Sequence, residues 1–251
     1  MMNPPTIEPT ALTGALRDRG FGVLAPGGLR ALLGGESLAA LTPSWERLEP
    51  DQYLRDGGHY RRRRHGCFVV KLPTGEVRAV AHRAHFQPVE YNALHGGIER
   101  WFEPLEPAMS EAPALHALLR ALGQQFAAVK PTACWFVEVH QFRIDTAGGI
   151  GRPTPEGAHR DGVDFVAVSL VSRAGIKGGE TRVFDADGPA GVRFTLVDPW
   201  TTLLLDDARV IHESTPIQPM AAALPGAFGA AGGHRDTLVV TFRANGFQGL
   251  V

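Results

Sequence analysis

The chain is poor in cysteine: Cys67 and Cys134 are the only two in 251 residues. Neither belongs to a Cys-x-x-Cys pair, which disfavours a structural zinc site and a disulfide scaffold and leaves two buried thiols as the expectation. Charge of one sign is also lacking, with 25 basic against 26 acidic residues. No global field therefore recommends nucleic acid or an anionic membrane as a partner, and a small-molecule ligand is expected. No apolar run approaches the length needed to cross a bilayer, and the start Met1-Met2-Asn3-Pro4-Pro5 lacks the charged-then-apolar pattern of a secretory signal, so a cytoplasmic location is expected. No internal repeat is visible. The 30 glycines and 19 prolines are instead dispersed among many short segments, as in turn-rich β architecture.

A chain of this length with 44% hydrophobic residues can form one all-β unit with a substantial core. The first 20 residues read as a lead-in with a short helix, and a second helix is expected over about Gly28 to Leu41, ended by Thr42-Pro43. Arg61 to Leu72 and Val77 to His82 read as paired strands around the turn Pro73-Thr74-Gly75-Glu76. The clearest helix starts at Ser110 as N-cap, has Pro113 in its first turn, and carries Leu115, Leu118, Leu119, Leu122 and Phe126 on one face. Cys134 to Ile144 is then a strand. From there to Arg243 short strands alternate with Gly/Pro/Asp turns, interrupted by a small-residue stretch, 221–233, expected to be a surface excursion. The run Arg61-Arg62-Arg63-Arg64-His65 resembles a nucleic-acid patch, but alternation splits it between two faces and no stacking aromatics interleave it beyond Tyr60, so a solvated strand edge is expected.

The chemistry centres on His159-Arg160-Asp161, followed 51 positions later by His212. In an extended segment residues i and i+2 share a face, so His159 and Asp161 can reach one metal while Arg160 points away. His212 ends the apolar run Ala208 to Ile211, as expected of a strand delivering its last side chain to a rim. Two imidazoles and a carboxylate form the three-ligand face of non-haem Fe(II) oxygenases, with open positions for other ligands. Gly157 and Gly162 bracket the motif and permit close backbone approach. After it come a buried strand, Val163 to Val171, and Lys177-Gly178-Gly179-Glu180, whose glycines suit a tight hairpin returning through Thr181 to Phe184. Asp164 is a candidate for orienting a ligand, Glu180 shapes the hairpin end, and His140 and His234 are left off the metal. Two ligands on one strand and a third on a later one imply a double-stranded β-helix: a mainly β (α+β), jelly-roll, cupin-like fold braced by N-terminal helices.

The stretch His159 to Val166, the turn Gly178-Gly179-Glu180-Thr181, His212 and the segment Arg235 to Arg243 resemble the bacterial 2-oxoglutarate/Fe(II) dioxygenases typified by L-isoleucine hydroxylase. Upstream, Phe86-Gln87-Pro88, Tyr91-Asn92, Gly96 to Arg100, Phe102 to Leu105 and His140 to Arg143 look like that family's N-terminal half, so the likeness spans roughly Gly20 to Arg243. It implies one dioxygenase domain over 1–251, with 1–130 as support and lid and 131–251 as the jelly-roll core. Iron, 2-oxoglutarate and O2 would act together, with decarboxylation to succinate supplying an oxidant that hydroxylates a free L-amino acid with an aliphatic or cyclic side chain.

A guanidinium can grip the far carboxylate of 2-oxoglutarate through two parallel hydrogen bonds. Alternation puts Arg235, Thr237, Val239, Thr241 and Arg243 on one face. Arg-x-Thr at 235 and 237 resembles the superfamily's Arg-x-Ser clamp, with Arg243 as the alternative. An amino-acid substrate needs a further cation and an acceptor, for which Gln141, Arg143, Gln87, Tyr91 and Asn92 are candidates. Two other readings stay open: the same chemistry on a peptide or carrier-tethered residue, and a non-catalytic cupin-like metal-binding module. Oligomeric state has no sequence signature.

Overall fold

Alternation along the strand Cys134–Asp145 sets the architecture. Trp135, Val137 and Val139 enter a hydrophobic core, whereas Phe136, Glu138, His140, Phe142 and Ile144 line a cavity on the other side. The computed structural model describes residues 2–220 and 232–249. Its strands are β1 (Thr6–Ile7), β2 (Phe21–Leu24), β3 (Glu49–Pro50), β4 (Arg61–Lys71), β5 (Glu76–Ala79), β6 (Cys134–Asp145), β7 (Phe165–Ala174), β8 (Ile176–Gly178), β9 (Thr181–Asp185), β10 (Gly191–Phe194), β11 (Thr202–Asp206), β12 (Val210–Ser214), β13 (Ile217–Pro219) and β14 (His234–Arg243). The large sheet runs β1-β2-β11-β7-β14-β6-β4-β3, with β5 beside β4. Facing it are a small sheet, β10-β9-β12, and the pair β13-β8. This is a jelly-roll, cupin-like fold with helices on the outer face of the large sheet.

Those helices are α1 (Leu12–Arg19), α2 (Pro26–Leu32), α3 (Pro107–Ser110) and α4 (Pro113–Val129), with a 3-10 helix over Leu38–Arg47. The apolar stripe of α4 is fully buried, as its spacing predicts, and Phe126 stacks on Phe165 at 4.5 Å between ring centroids. Its start differs from expectation. Ser110 closes α3, and α4 begins at Pro113 after Ala112, which makes no side-chain cap. The helix expected over 28–41 is likewise broken: α2 ends at Leu32, Gly34 and Gly35 take positive φ, and the chain resumes as the 3-10 helix, which runs through Pro43.

Two strand readings are corrected. The glycines at 178 and 179 do have positive φ, but they do not close a hairpin. Instead β8 pairs with β13, while β9 pairs with β12 and β10, so the chain crosses between sheets at this point. The arginine run is not a solvated edge, because β4 is paired to β6 on one side and to β3 and β5 on the other. Alternation holds there, but Arg61 and Arg63 face the enclosed cavity and are buried. Most of the glycine-rich stretch, 221–231, lies outside the described residues.

No helix among the described residues is long and apolar enough to cross a membrane.

Candidate active site

His159, Asp161 and His212 converge between the two sheets, with one ligand atom from each lying within 4.8 Å of the others. His159 is not in a regular strand. It is held by an isolated bridge to His212, with mutual backbone bonds of 3.0 and 2.9 Å. Asp161 Oδ1 is 3.8 Å from His159 Nε2, and Asp161 Oδ2 is 3.8 Å from His212 Nε2. The Gly157 carbonyl accepts a 2.9 Å bond from His159 Nδ1, which places the proton there and leaves Nε2 as a lone-pair donor. Burial opposes a positive charge on His159, but Asp161 and Glu156 outweigh it and raise its proton affinity. His212 is depressed well below the usual histidine range by burial and by His159. Nitrogen and carboxylate donors without thiolate, converging on one point, fit Fe(II).

The second layer differs from expectation. Asp164 is turned away, accepting from the Ala244 amide at 2.7 Å and pairing with Lys130. Asp207 is the carboxylate that shapes the metal loop, accepting from the amides of Asp161 (3.0 Å), Gly162 (2.8 Å) and Val163 (3.1 Å). Burial and the Asp161 charge push its carboxyl up to about 7 against those three bonds. In Asp207→Asn one of the three amides must face an NH2 group. Stability is expected to fall by about 1–3 kcal/mol in denaturant melts. Metal affinity, read by Fe(II) titration, is expected to fall about 10- to 100-fold.

Gln87 Nε2 donates to Asp161 Oδ1 at 3.0 Å. Its Oε1 accepts from Asn92 Nδ2 and Arg100 Nη2, both at 3.1 Å, which fixes the orientation of the amide. Gln87 and Asn92 therefore stand at the site as supports of a ligand. Tyr91 packs over Gly162, where any Cβ would collide with its ring; Gly162 has φ +74°.

The triad opens into a cavity of about 1060 Å³, a figure that takes in open space at its mouth. The predicted face of β14 lines it from Arg235 through Thr237 and Val239 to Thr241 and Arg243. Arg235 is 3% exposed, and its Nε and Nη2 have no hydrogen-bond partner among the described residues. Burial, with Arg173 beside it, lowers its pKa to about 10, so it stays charged at neutral pH. Gly179, at φ +70°, lies against the stem of this arginine, 3.5 Å from Cδ measured from an ideal Cβ.

Gln141 and Arg143 lie elsewhere, a correction to their expected place beside substrate. Both share the face of Trp135, Val137 and Val139. Gln141 donates to Ser44 Oγ at 2.7 Å, and Arg143 bridges Asp236 (2.8 Å) and Glu46 (2.6 Å). The cavity instead receives His140 and Glu138 from β6, with Arg61, Arg63, His85, Arg100 and Glu156, none of which was expected at the site. The apolar odd positions of β6 carried the signal: they mark the core side and so assign the even positions to the cavity.

A family model described as 2OG-Fe dioxygenase matches residues 42–241. Among solved structures, a bsmA homolog from Methylobium petroleophilum PM1 is 55% identical, with TM-score 0.91 over 99% of this chain and 98% of that one. IDO from Bacillus thuringiensis (17% identity, TM-score 0.72, covering 98% and 100%) and the Fe(II)/(alpha)ketoglutarate-dependent dioxygenase TqaL (21%, 0.69, covering 94% and 86%) share the fold. No curated protein matches.

Proposed function

Since the chain belongs to the 2OG-Fe dioxygenase family, and is thus an iron enzyme that uses 2-oxoglutarate and O2, we propose that it hydroxylates a free L-amino acid. In this reading His159, Asp161 and His212 hold the iron, and Arg235 with Thr237 receives the distal carboxylate of 2-oxoglutarate. When bound, iron and 2-oxoglutarate supply the oxygen atom from O2, with succinate and CO2 released. The observation that carries the reading is the buried Arg235 guanidinium, its Nε and Nη2 unpartnered among the described residues, in the same cavity as the triad. A buried cation without a counter-ion is costly unless a ligand completes it, and a carboxylate matches its geometry.

The protein's own groups divide the remaining work. Gln87 holds Asp161, and Asp207 holds the backbone beneath it, so the carboxylate keeps its aim. Arg243 lines the same strand face and is a further cation available to either ligand. Glu156 lines the cavity with its Oε2 buried and unpartnered among the described residues, a ready acceptor for an ammonium group. That acceptor, together with the branch-specific resemblance, supports an amino acid as substrate.

Incubation of the iron-loaded protein with 2-oxoglutarate and a panel of L-amino acids is expected to give succinate and a product 16 mass units heavier, the mass of one oxygen atom, with at least one member. Succinate formation that no amino acid stimulates would refute the proposal.

A further inference from the structure

Three arginines line the cavity on the far side of β6 from β14, each almost fully withdrawn from solvent: Arg61 5% exposed, Arg63 4% and Arg100 2%. Arg61 Nη2, Arg63 Nε and Arg100 Nε are all buried without a hydrogen-bond partner among the described residues. Their carboxylate neighbour is Asp51, 2.7 Å from Arg61 Nε and 3.8 Å from Arg63 Nη1. The aromatic rings of Phe102 and Phe142, 3.5 and 4.4 Å from the Arg63 guanidinium carbon, grip it from their faces and fix its plane.

The other carboxylate in this wall is already engaged. Glu138 Oε2 accepts from His65 Nε2 at 3.1 Å and His85 Nδ1 at 2.5 Å, with His140 Nε2 at 3.6 Å. Arg63 Nη2 donates to His140 Nδ1 at 2.7 Å, which makes that nitrogen the acceptor and leaves the proton on Nε2, facing Glu138. These four side chains, His65, His85, Glu138 and His140, have ligand atoms within 4.8 Å of one another, the spacing of a metal site. A cation would be poorly placed there, however, among three guanidinium groups and imidazoles whose protons already point at Glu138. Asp51 and Glu138 offset two of these three charges; Glu156, also in the cavity lining, is the carboxylate left for an ammonium group, and three orphan N–H donors among the described residues remain for a carboxylate.

We propose that Arg61, Arg63 and Arg100 form a second carboxylate subsite, which holds the carboxylate of the primary substrate. It is distinct from Arg235. Arg61 and Arg235 both register with Ile144, from strands on either side of β6, so their backbones start about 10 Å apart at the usual strand spacing. Arg100 is joined to the metal ligand through one side chain, by the bonds Arg100–Gln87 and Gln87–Asp161. An acid seated on this wall is thereby indexed to the iron through a fixed amide.

The inference rests on the dioxygenase reading but not on the amine being free, and the test separates the two. The protein loaded with Fe(II) and 2-oxoglutarate is titrated without oxygen in a calorimeter with three sets of probes: free L-amino acids, their N-acetyl derivatives and their α-amides. An acid is expected to bind about 100-fold more tightly than its amide. Arg63→Met and, independently, Arg61→Met are expected to remove that preference while 2-oxoglutarate affinity changes less than about threefold, with Arg63→Lys restoring part of it. Binding by N-acetyl acids alone, still dependent on Arg63 or Arg61, would keep the subsite and refute the free-amine reading. Equal binding of acid and amide, no binding by any acid, or a loss of 2-oxoglutarate affinity as large as that for the acid would overturn the subsite.

Discussion

Asp161→Ala is expected to fold normally yet lose turnover by on the order of a thousandfold or more, because a metal centre contributes several kcal/mol and each 1.4 kcal/mol is tenfold in rate. Folding should survive because the loop is held from beneath. Asp207 accepts the amides of residues 161 to 163, and those bonds do not involve the side chain that is removed. With the carboxylate gone, His159 and His212 alone remain, two neutral donors without the charged one. Losing the charged donor weakens iron binding. The visible band that 2-oxoglutarate gives on chelating Fe(II) without oxygen should disappear along with turnover, whereas the thermal melt should stay close to that of the parent. Activity within tenfold of the parent, with the band intact, would show that this carboxylate is not a ligand.

The second large effect concerns Arg235. Arg235→Met keeps the length and the packing of the stem against Gly179 but deletes the guanidinium. The loss of a buried, charge-assisted carboxylate contact costs about 2–3 kcal/mol, so KM for 2-oxoglutarate is expected to rise about 30- to 150-fold. The ligand-free protein should respond in the opposite sense. Arg235 is buried with no partner among the described residues on two of its nitrogens, so replacing it with an apolar side chain removes a desolvation penalty and leaves the melting temperature unchanged or raised. This opposition is the diagnostic result, because a structural arginine would lose stability and a ligand-binding one would not. An unchanged KM for 2-oxoglutarate would pass the role to Arg243, the other arginine on that strand face.

Much of the centre was legible because its signals are local. The i, i+2 relation of His159 and Asp161, the apolar run leading into His212 and the odd face of Arg235 to Arg243 depend only on extended geometry, and the structure places all of these groups around one cavity. The stripe on α4 was legible for the same reason, through the 3.6-residue period. What failed was assigning faces to neighbours. On β6 alternation defines two sets of side chains, and Gln141 and Arg143 belong to the set turned towards the helices. On β4 the same rule split the arginine run as expected, but whether the second face meets water or a cavity depends on the strands lying opposite.

Residue order alone determined the donor set, its spacing and the polarity of each strand, since all three follow from backbone periods of two and 3.6. Tertiary structure alone decided which face is enclosed and who stands beside whom. Asp207 reaches the metal loop across 46 positions and Gln87 reaches Asp161 across 74, while Arg61 and Arg63 become cavity residues because β4 pairs with a strand some eighty residues later. The physical reason is that burial and counter-ions are properties of surroundings, and in a jelly roll those surroundings come from strands distant in the chain.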